Sequence, residues 1–441
     1  MGARQLNRTT LTTSRLLDFC SEKELTAQTG HERAQWPLVV LKELVDNALD
    51  ACEDARVAPE IEVIVNAGSI EVADNGPGIP ASTIEGVLDF SVRVSNREAY
   101  VAPDRGAQGN ALKTIVAIPF VLDGHEGLTQ VTAHSVRHDI TVRVDPIRQQ
   151  PIISDDRSPA IVRNGTTVRV SWPGSARSEL EEAKDRFLQI AADFTFLNPH
   201  LTLRLDWFGE CRRIDATDPE WLKWRPSDPT PAHWYEVEHL ARLIASYVAH
   251  DQDRGTDRTV RAFVSELRGF SGSAKQKAVL AATGMARIDL SALADGQGVR
   301  TVEVERLLCA MRAESKPVKP AALGVIGREH LERRFGELGC EMKSFDYRKI
   351  VSEGTDGLPQ VVEAAFGWCE GLSRRRLVTG INWSPGIVNP FRQLGGFGRS
   401  LDGILAQQRA GPDEPIALLS HCVHPRVEYT DRGKSAVVVR G

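Results

Sequence analysis

The sequence predicts an α+β protein in three units, and three observations carry that reading. An apolar-periodic helix over Trp36 to Ala55 runs into two short strands, IEVIVN and SIEVA, split at Gly68. From Ala232 to about Cys309 the pattern is helical throughout. After Phe345 a run of strands carries one amphipathic helix, the mark of an α+β sandwich. At 441 residues the chain suits two or three domains, with expected limits 1–215, 216–315 and 316–441.

In chain order, LTTSRLLDFCSEKELTAQ (11–28) reads as a first helix that Thr12 or Thr13 could cap. In the second helix Val39, Val40, Leu44, Ala48 and Leu49 form the buried stripe, while Glu43, Asp46, Asn47 and Asp50 lie elsewhere. The strand pair ends at Asp74, followed by Asn75-Gly76-Pro77-Gly78. Arg105-Gly106-Ala107-Gln108-Gly109-Asn110 is a glycine-rich turn opening a helix, which offers free N–H groups and a positive dipole end to phosphates. Asn164-Gly165-Thr166-Thr167 begins a later strand. The helical middle contains HWYEVEHLARLIASYVAH, then two helices split at Gly269–Gly272; its Arg261, Arg268, Lys275 and Lys277 read equally as a solvated face or a DNA-facing patch. KPVKPAALGVIGREHL (316–331) looks like a linker into the last unit. There FDYRKIVSEG, QVVEAAFGWCEG and RRLVTGINWSPGIVNPF are strands, GFGRSLDGILAQQRAG a helix and PIALLSHCVHPRVEY a strand.

Composition excludes some classes. The hydrophobic fraction of 41% and charged fraction of 26% are those of a globular protein, and the net charge of −5 supplies no basic field for nucleic acid. The seven scattered cysteines lack a CxxC pair, which argues for a reducing compartment and against a disulfide framework or zinc site. MGARQLNRTT has no apolar signal core and no 18-residue apolar run occurs, so the expectation is a cytoplasmic protein with no membrane contact.

Glu43 and Asn47 are four residues apart and share a helix face. A carboxylate and an amide aimed at one spot suit a water nucleophile and a magnesium ion. Asp74 closes an apolar strand, where a carboxylate needs a partner, and the turn after it lets a flat ligand approach the backbone. An ELVDN run alone is common on solvated helices, and a lone DNGPGI is commonly just a turn; their order and spacing make the pair specific. Rival motifs fail. Gly433-Lys434-Ser435 is preceded five residues earlier by Glu428, so it is no Walker A loop. His421 and His424 read as structural members of a strand ending at a proline.

These four elements resemble the ATP site of the GHKL superfamily (Bergerat fold), and the whole chain resembles the B subunits of type IIB DNA topoisomerases, topoisomerase VI. KELVDNALDACEDARVAPEI is similar to the family's first motif, FVSELRGFSGSAKQKAVL to its helix-two-turns-helix region, and KPVKPAALGVIGREHL to its linker. VVEAAFGW, GINWSPGIVNPF and HPRVEYTDRGKSAVVV are similar to its transducer domain. The resemblance implies that Glu43 is the general base, Asn47 holds magnesium, Asp74 reads adenine, and Gly76 and Gly78 shape the floor. It implies a lid of Gly106, Gln108, Gly109, Asn110 and Ala111, with Lys113 adding a phosphate charge. A threonine beside adenine would be Thr166 or Thr167, with Thr166 preferred. The implied cofactors are ATP and Mg2+. The implied partners are a second copy on ATP binding, a separate DNA-cleaving A-type subunit and duplex DNA.

Two departures stand out. The family's Trp-Lys-x-Tyr loop, whose lysine reaches the γ-phosphate, is absent near GGFGRSLDGI, leaving Arg392, Arg399 or Lys434 as substitutes. The family's helical stalk has no counterpart before Gly441, which implies a partner held differently or no classical holoenzyme. The tyrosines (100, 235, 247, 347, 429) lack an Asp-x-Asp cluster, so DNA breakage falls to another chain. The alternative is a regulatory or defence module that signals to a nuclease or condensin-like partner. A histidine kinase would need more than His31 upstream of Glu43, and an Hsp90-type chaperone does not fit the middle region.

Overall fold

The computed structural model describes residues 20–88, 99–105, 111–145, 147, 150–161, 164–295, 298–354, 356–393, 400–430 and 436–438. Thr12, Thr13, the lid positions Gly106, Gln108, Gly109 and Asn110, and the cations Arg399 and Lys434 lie outside those residues.

The first unit is a layered α/β sandwich. Helix α1 (Glu22–Thr29) is capped by Ser21, whose Oγ accepts from Glu24 N at 3.2 Å. Helix α2 (Trp36–Asp54) follows, with Pro37 in its first turn. Then come β1 (Glu60–Asn66), β2 (Ser69–Ala73), α3 (Ala81–Leu88), α4 (Ala111–Asp123), β3 (Glu126–Ala133), β4 (Val136–Asp145), β5 (Gln150–Pro159) and β6 (Thr167–Ser171). Helices α5 (Arg177–Glu182) and α6 (Lys184–Leu197) and strands β7 (Thr202–Trp207) and β8 (Glu210–Ile214) complete it. The strands form one sheet in the order β5-β4-β3-β6-β2-β1-β7-β8, antiparallel except for β1 beside β7. Ile61, Val63 and Val65 alternate inward from β1 onto the helical layer of α2, α4 and α6. Burying each such side chain contributes about 1.5–3 kcal/mol.

Helix α2 is buried more completely than its apolar stripe foretold. Asp46, Asp50 and Glu53 are all buried, so the expectation that the acids of this helix lie away from the core is corrected for Asp46 and Asp50. Ion pairing supplies the reason, described below.

The helical unit holds α7 (Val237–Asp253), α8 (Val260–Glu266), α9 (Ser273–Thr283) and α10 (Thr301–Glu314), with the short strands β9 (Ala294–Asp295) and β10 (Gly298–Val299). Thr259 caps α8, and Gly284 ends α9 at φ 74°. Arg261, Arg268, Lys275 and Lys277 are exposed, but Arg261 bonds Gln276 and Arg268 lies 4.9 Å over the Trp224 ring. The last unit contains α11 (Arg328–Glu337), β11 (Asp346–Glu353), β12 (Pro359–Trp368), β13 (Arg376–Ile381), β14 (Ser384–Pro385), α12 (Leu401–Gln407) and β15 (Ile416–Val423). Its sheet runs β11-β12-β15-β13-β14. One core joins the helical unit to this sheet, with Phe263, Leu307, Phe335, Val361 and Leu419 among its members.

Helix α6 lies directly on β13. A Cβ on Gly380 would stand 2.4 Å from Leu197 Cδ1, so any larger residue there would force the leucine side chain to shift. Cys340 and Cys369 are joined by a disulfide, against the expectation from cysteine spacing. The fold brings the loop after α11 onto the end of β12, where Glu341 N also bonds Trp368 O at 2.7 Å; a contact across 29 residues leaves no sequence motif. Among the described residues, no helix is long and apolar enough to cross a membrane.

Candidate functional site

Three chain segments converge where β2 ends. Asp74 N donates to Thr166 O at 2.9 Å, and Asp74 Oδ1 accepts from Gly76 N at 2.8 Å and Thr166 N at 3.3 Å. The Thr166 hydroxyl accepts from Ile79 N at 3.0 Å. Burial pushes the Asp74 carboxyl above its ordinary value, and the two N–H donors work against that. Asn75 pins the turn, accepting from Glu60 N at 2.9 Å and donating to Ala58 O at 3.0 Å.

The glycines here are dictated by space. Gly165, at φ 108°, lies so close to the Asp74 carbonyl that a Cβ would stand 1.8 Å from its oxygen. No side chain fits there. A Cβ on Gly76 would meet Asp74 Oδ1 at 2.9 Å and Cys52 Sγ at 3.3 Å, and one on Gly78 would meet His134 Nε2 at 3.0 Å. Gly165 stood in the quoted Asn164–Thr167 stretch, but the sequence reading gave it no role; its signal was its place beside Thr166 at a strand entry.

Cys52 belongs to α2, so the Asp74 turn docks on the helix that bears the other candidates. Asn47 and Glu43 precede Cys52 by five and nine residues, about 7 and 13 Å along the axis at 1.5 Å per residue. Asn47 is exposed and Glu43 half-buried. Ala111 opens α4, in whose first turn Lys113 and Thr114 are buried. Glu43, Asn47, Asp74, Gly76 and Gly78 thus lie on α2 or on the turn packed against it, and Thr166, at the entry to β6, bonds that turn. Thr167, the other threonine, pairs with Ala73 inside the sheet.

Beside the site runs a buried charge cluster absent from the sequence-based reading. Arg105, 3% exposed, donates to Asp50 at 2.7 Å, to both oxygens of Glu53 at 2.6 and 2.7 Å, and to Asn198 at 2.5 Å. Lys223 reaches Glu53 at 2.7 Å and His200 reaches it at 3.1 Å. Burial alone would raise the Glu53 carboxyl, but Arg105 and Lys223 outweigh it and hold it well below the ordinary carboxylate range. Arg105 immediately precedes the glycine-rich segment 106–110, so its root is clamped to α2. The acids at 46, 50 and 53, spaced three and four residues apart on one helix, were the available signal.

His421 and His424 have structural partners. His421 accepts from Trp383 N at 3.1 Å and faces the buried Glu363 at 3.5 Å. His424 lies against Asn382 and Arg426.

Residues 33–176 match the family described as histidine kinase-, DNA gyrase B-, and HSP90-like ATPase. The B subunit of type 2 DNA topoisomerase 6 from Archaeoglobus fulgidus is 26% identical over 421 residues, covering 91% of this chain and 66% of that protein. Its counterpart of the same name from Metallosphaera sedula is 27% identical, over 95% of this chain and 78% of its own length. The one from Natronomonas pharaonis is 29% identical over 47% of this chain and 26% of its own. Among solved structures, the ATPase region of Saccharomyces cerevisiae topoisomerase II aligns with 92% of this chain and 78% of its own at 9% identity and a TM-score of 0.41, too loose a likeness to carry a residue-level argument. Residues 33–176 are therefore similar to the histidine kinase-, DNA gyrase B-, and HSP90-like ATPases, and the chain is similar, along nearly its whole length, to B subunits of type 2 DNA topoisomerase 6.

Proposed function

We propose that this chain binds ATP with magnesium and hydrolyses it as a dimerising clamp, acting in DNA strand passage with a separate DNA-cleaving subunit. The observation that carries the reading is the order of groups along α2. Asp74 stands at Cys52, then Asn47, then Glu43, as an extended nucleotide presents base and then phosphates. Asp74 Oδ1 is occupied by two backbone N–H groups, and Oδ2 would accept from a ligand donor such as the adenine amine. Gly76, Gly78 and Gly165 keep that floor free of side chains, and Thr166 borders it.

The residues fit a magnesium nucleotide. The exposed Asn47 offers a hard amide oxygen, and magnesium so held would offset charge on the phosphates. Glu43, half-buried one turn earlier, takes the proton of the attacking water on its carboxylate, as positioned phosphoryl transfer requires. The glycine-rich segment Gly106, Gln108, Gly109, Asn110 and Ala111 wraps the triphosphate, and Lys113 in the first turn of α4 adds positive charge. Arg392, Arg399 or Lys434 would approach the γ-phosphate from the last unit.

Two variants test the site. Glu43→Ala keeps ATP affinity while turnover falls at least about a hundredfold; loss of binding together with turnover counts against the general-base role. Asp74→Asn weakens binding about ten- to a hundredfold, the worth of a hydrogen bond to a charged group; unchanged affinity removes the adenine role. A supercoil-relaxation assay with a cleaving subunit encoded by the adjacent gene tests strand passage. ATP hydrolysis without relaxation would favour a signalling clamp instead.

A further inference from the structure

The turn joining β13 to β14 is held in a conformation that ordinary residues avoid. Asn382 and Trp383 lie at φ 49° and 63°, and Trp383 is fully buried. A tryptophan in the left-handed region costs roughly 1–3 kcal/mol and persists only where its surroundings impose it. Five ties do so here. Trp383 N donates to His421 Nε2 at 3.1 Å, and Trp383 O accepts from Asn198 at 2.9 Å. Asn382 Nδ2 reaches Asp104 O and His424 O, both at 3.2 Å. Lys223 lies 4.4 Å over the indole. The turn therefore touches the root of the glycine-rich segment, the end of α6 and its own sheet at once.

The strained turn delivers one side chain to α2. Ser384 Oγ donates to Asp46 Oδ2 at 2.7 Å, and Lys42 Nζ donates to both Ser384 Oγ and Asp46 Oδ2 at 2.7 Å. All three are largely buried. Asp46 Oδ1 faces Arg105 Nε at 4.0 Å, beyond hydrogen-bond length. Lys42 and Asp46 are the residues immediately before Glu43 and Asn47. A rotation of α2 that broke the contact with Ser384 would swing both candidate site residues with it.

We propose that Lys42, Asp46 and Ser384 form a positioning triad through which the Asn382–Trp383 turn fixes the rotation of α2 and the aim of Glu43 and Asn47. The inference rests on the ATPase reading above and extends it to a contact between the nucleotide-bearing helix and the last unit. The three bond one another, so their effect on the site would be through their neighbours Glu43 and Asn47.

Ser384→Ala tests it, because it removes one hydroxyl and leaves the charge pair intact. A mis-aimed base slows chemistry without loosening the ligand, so kcat falls about tenfold while affinity for a non-hydrolysable ATP analogue stays within about twofold. Ser384→Thr restores the hydroxyl and returns kcat to within about threefold of the parent. Turnover in Ser384→Ala equal to the parent overturns the proposal. So does a parallel loss of analogue affinity, or failure of threonine to rescue, which would mark a packing site. If the parent binds analogue but never hydrolyses ATP, the hydrolytic reading itself falls and the triad with it. That outcome is distinct from normal parental turnover that Ser384→Ala leaves unchanged.

Discussion

At the scale of single residues, Gly165 sets the sharpest steric condition. A Cβ there would stand 1.8 Å from Asp74 O, so Gly165→Ala must push the Thr166 entry away from β2. Its backbone at φ 108° adds a further penalty. The expected result is loss of ATP binding with destabilisation of about 2–4 kcal/mol, read by nucleotide titration and urea unfolding; a variant with parental affinity would show that the Asp74 turn does not need this approach. The site was legible in the sequence where chemistry follows from spacing: Glu43 and Asn47 are one helical turn apart, and Asp74 ends a strand. Gly165 was not, because its role comes from contact with a carbonyl far away along the chain. The same reason hid the pairing of Cys340 with Cys369.

At the scale of elements, helix α2 shows how far periodicity reaches. Its existence and limits follow from the apolar repeat, and β1, β2, α7 and β15 were equally readable. The burial of Asp46, Asp50 and Glu53 was not, since a polar residue on a helix reads as solvated until its partner is known. Arg105 supplies that partner from outside the helix. Arg105→Met would leave Asp50 and Glu53 buried with less charge compensation, and breaking such a cluster costs about 3–5 kcal/mol. Thermal unfolding should show a drop of several degrees, with a smaller added effect once Glu53 is already Gln. A second element-level prediction concerns α11. His330 donates to Phe196 O at 2.9 Å through Nε2, and its Nδ1 meets the Thr217 hydroxyl, an arrangement for neutral imidazole. Burial pushes its pKa down to about 3. The folded chain therefore binds fewer protons than the unfolded one between pH 3 and about 6.5. Stability from this group is complete above about pH 6.5 and is lost as pH falls through that window, by about 1.4 kcal/mol per unit. Between about pH 7 and pH 5 the parent should lose about 2 kcal/mol more than His330→Gln in urea unfolding; equal losses would mean the imidazole is not held neutral.

At the scale of the whole molecule, the units are joined by packing and hydrogen bonds. The helical unit and the last sheet share one core, and α6 presses on β13 at Gly380. Arg186 bonds Gly386 O and Ile387 O at 2.9 Å across the same seam. On the proposed function, a change at α2 on ATP binding would reach the last unit through these contacts, and self-association would add the second copy. If ATP drives closure and hydrolysis reopens it, the lifetime of the dimer is set by turnover at Glu43. Sedimentation of the parent with ATP should then show a transient dimer that decays as ATP is consumed. Glu43→Ala, which binds but does not hydrolyse, should hold the dimer for as long as nucleotide remains, and Asp74→Asn should dimerise only at ATP concentrations about ten- to a hundredfold higher than the parent needs. A dimer formed equally by all three proteins, or by the parent without nucleotide, would separate association from the ATP site and remove the clamp cycle, even if hydrolysis itself is sound.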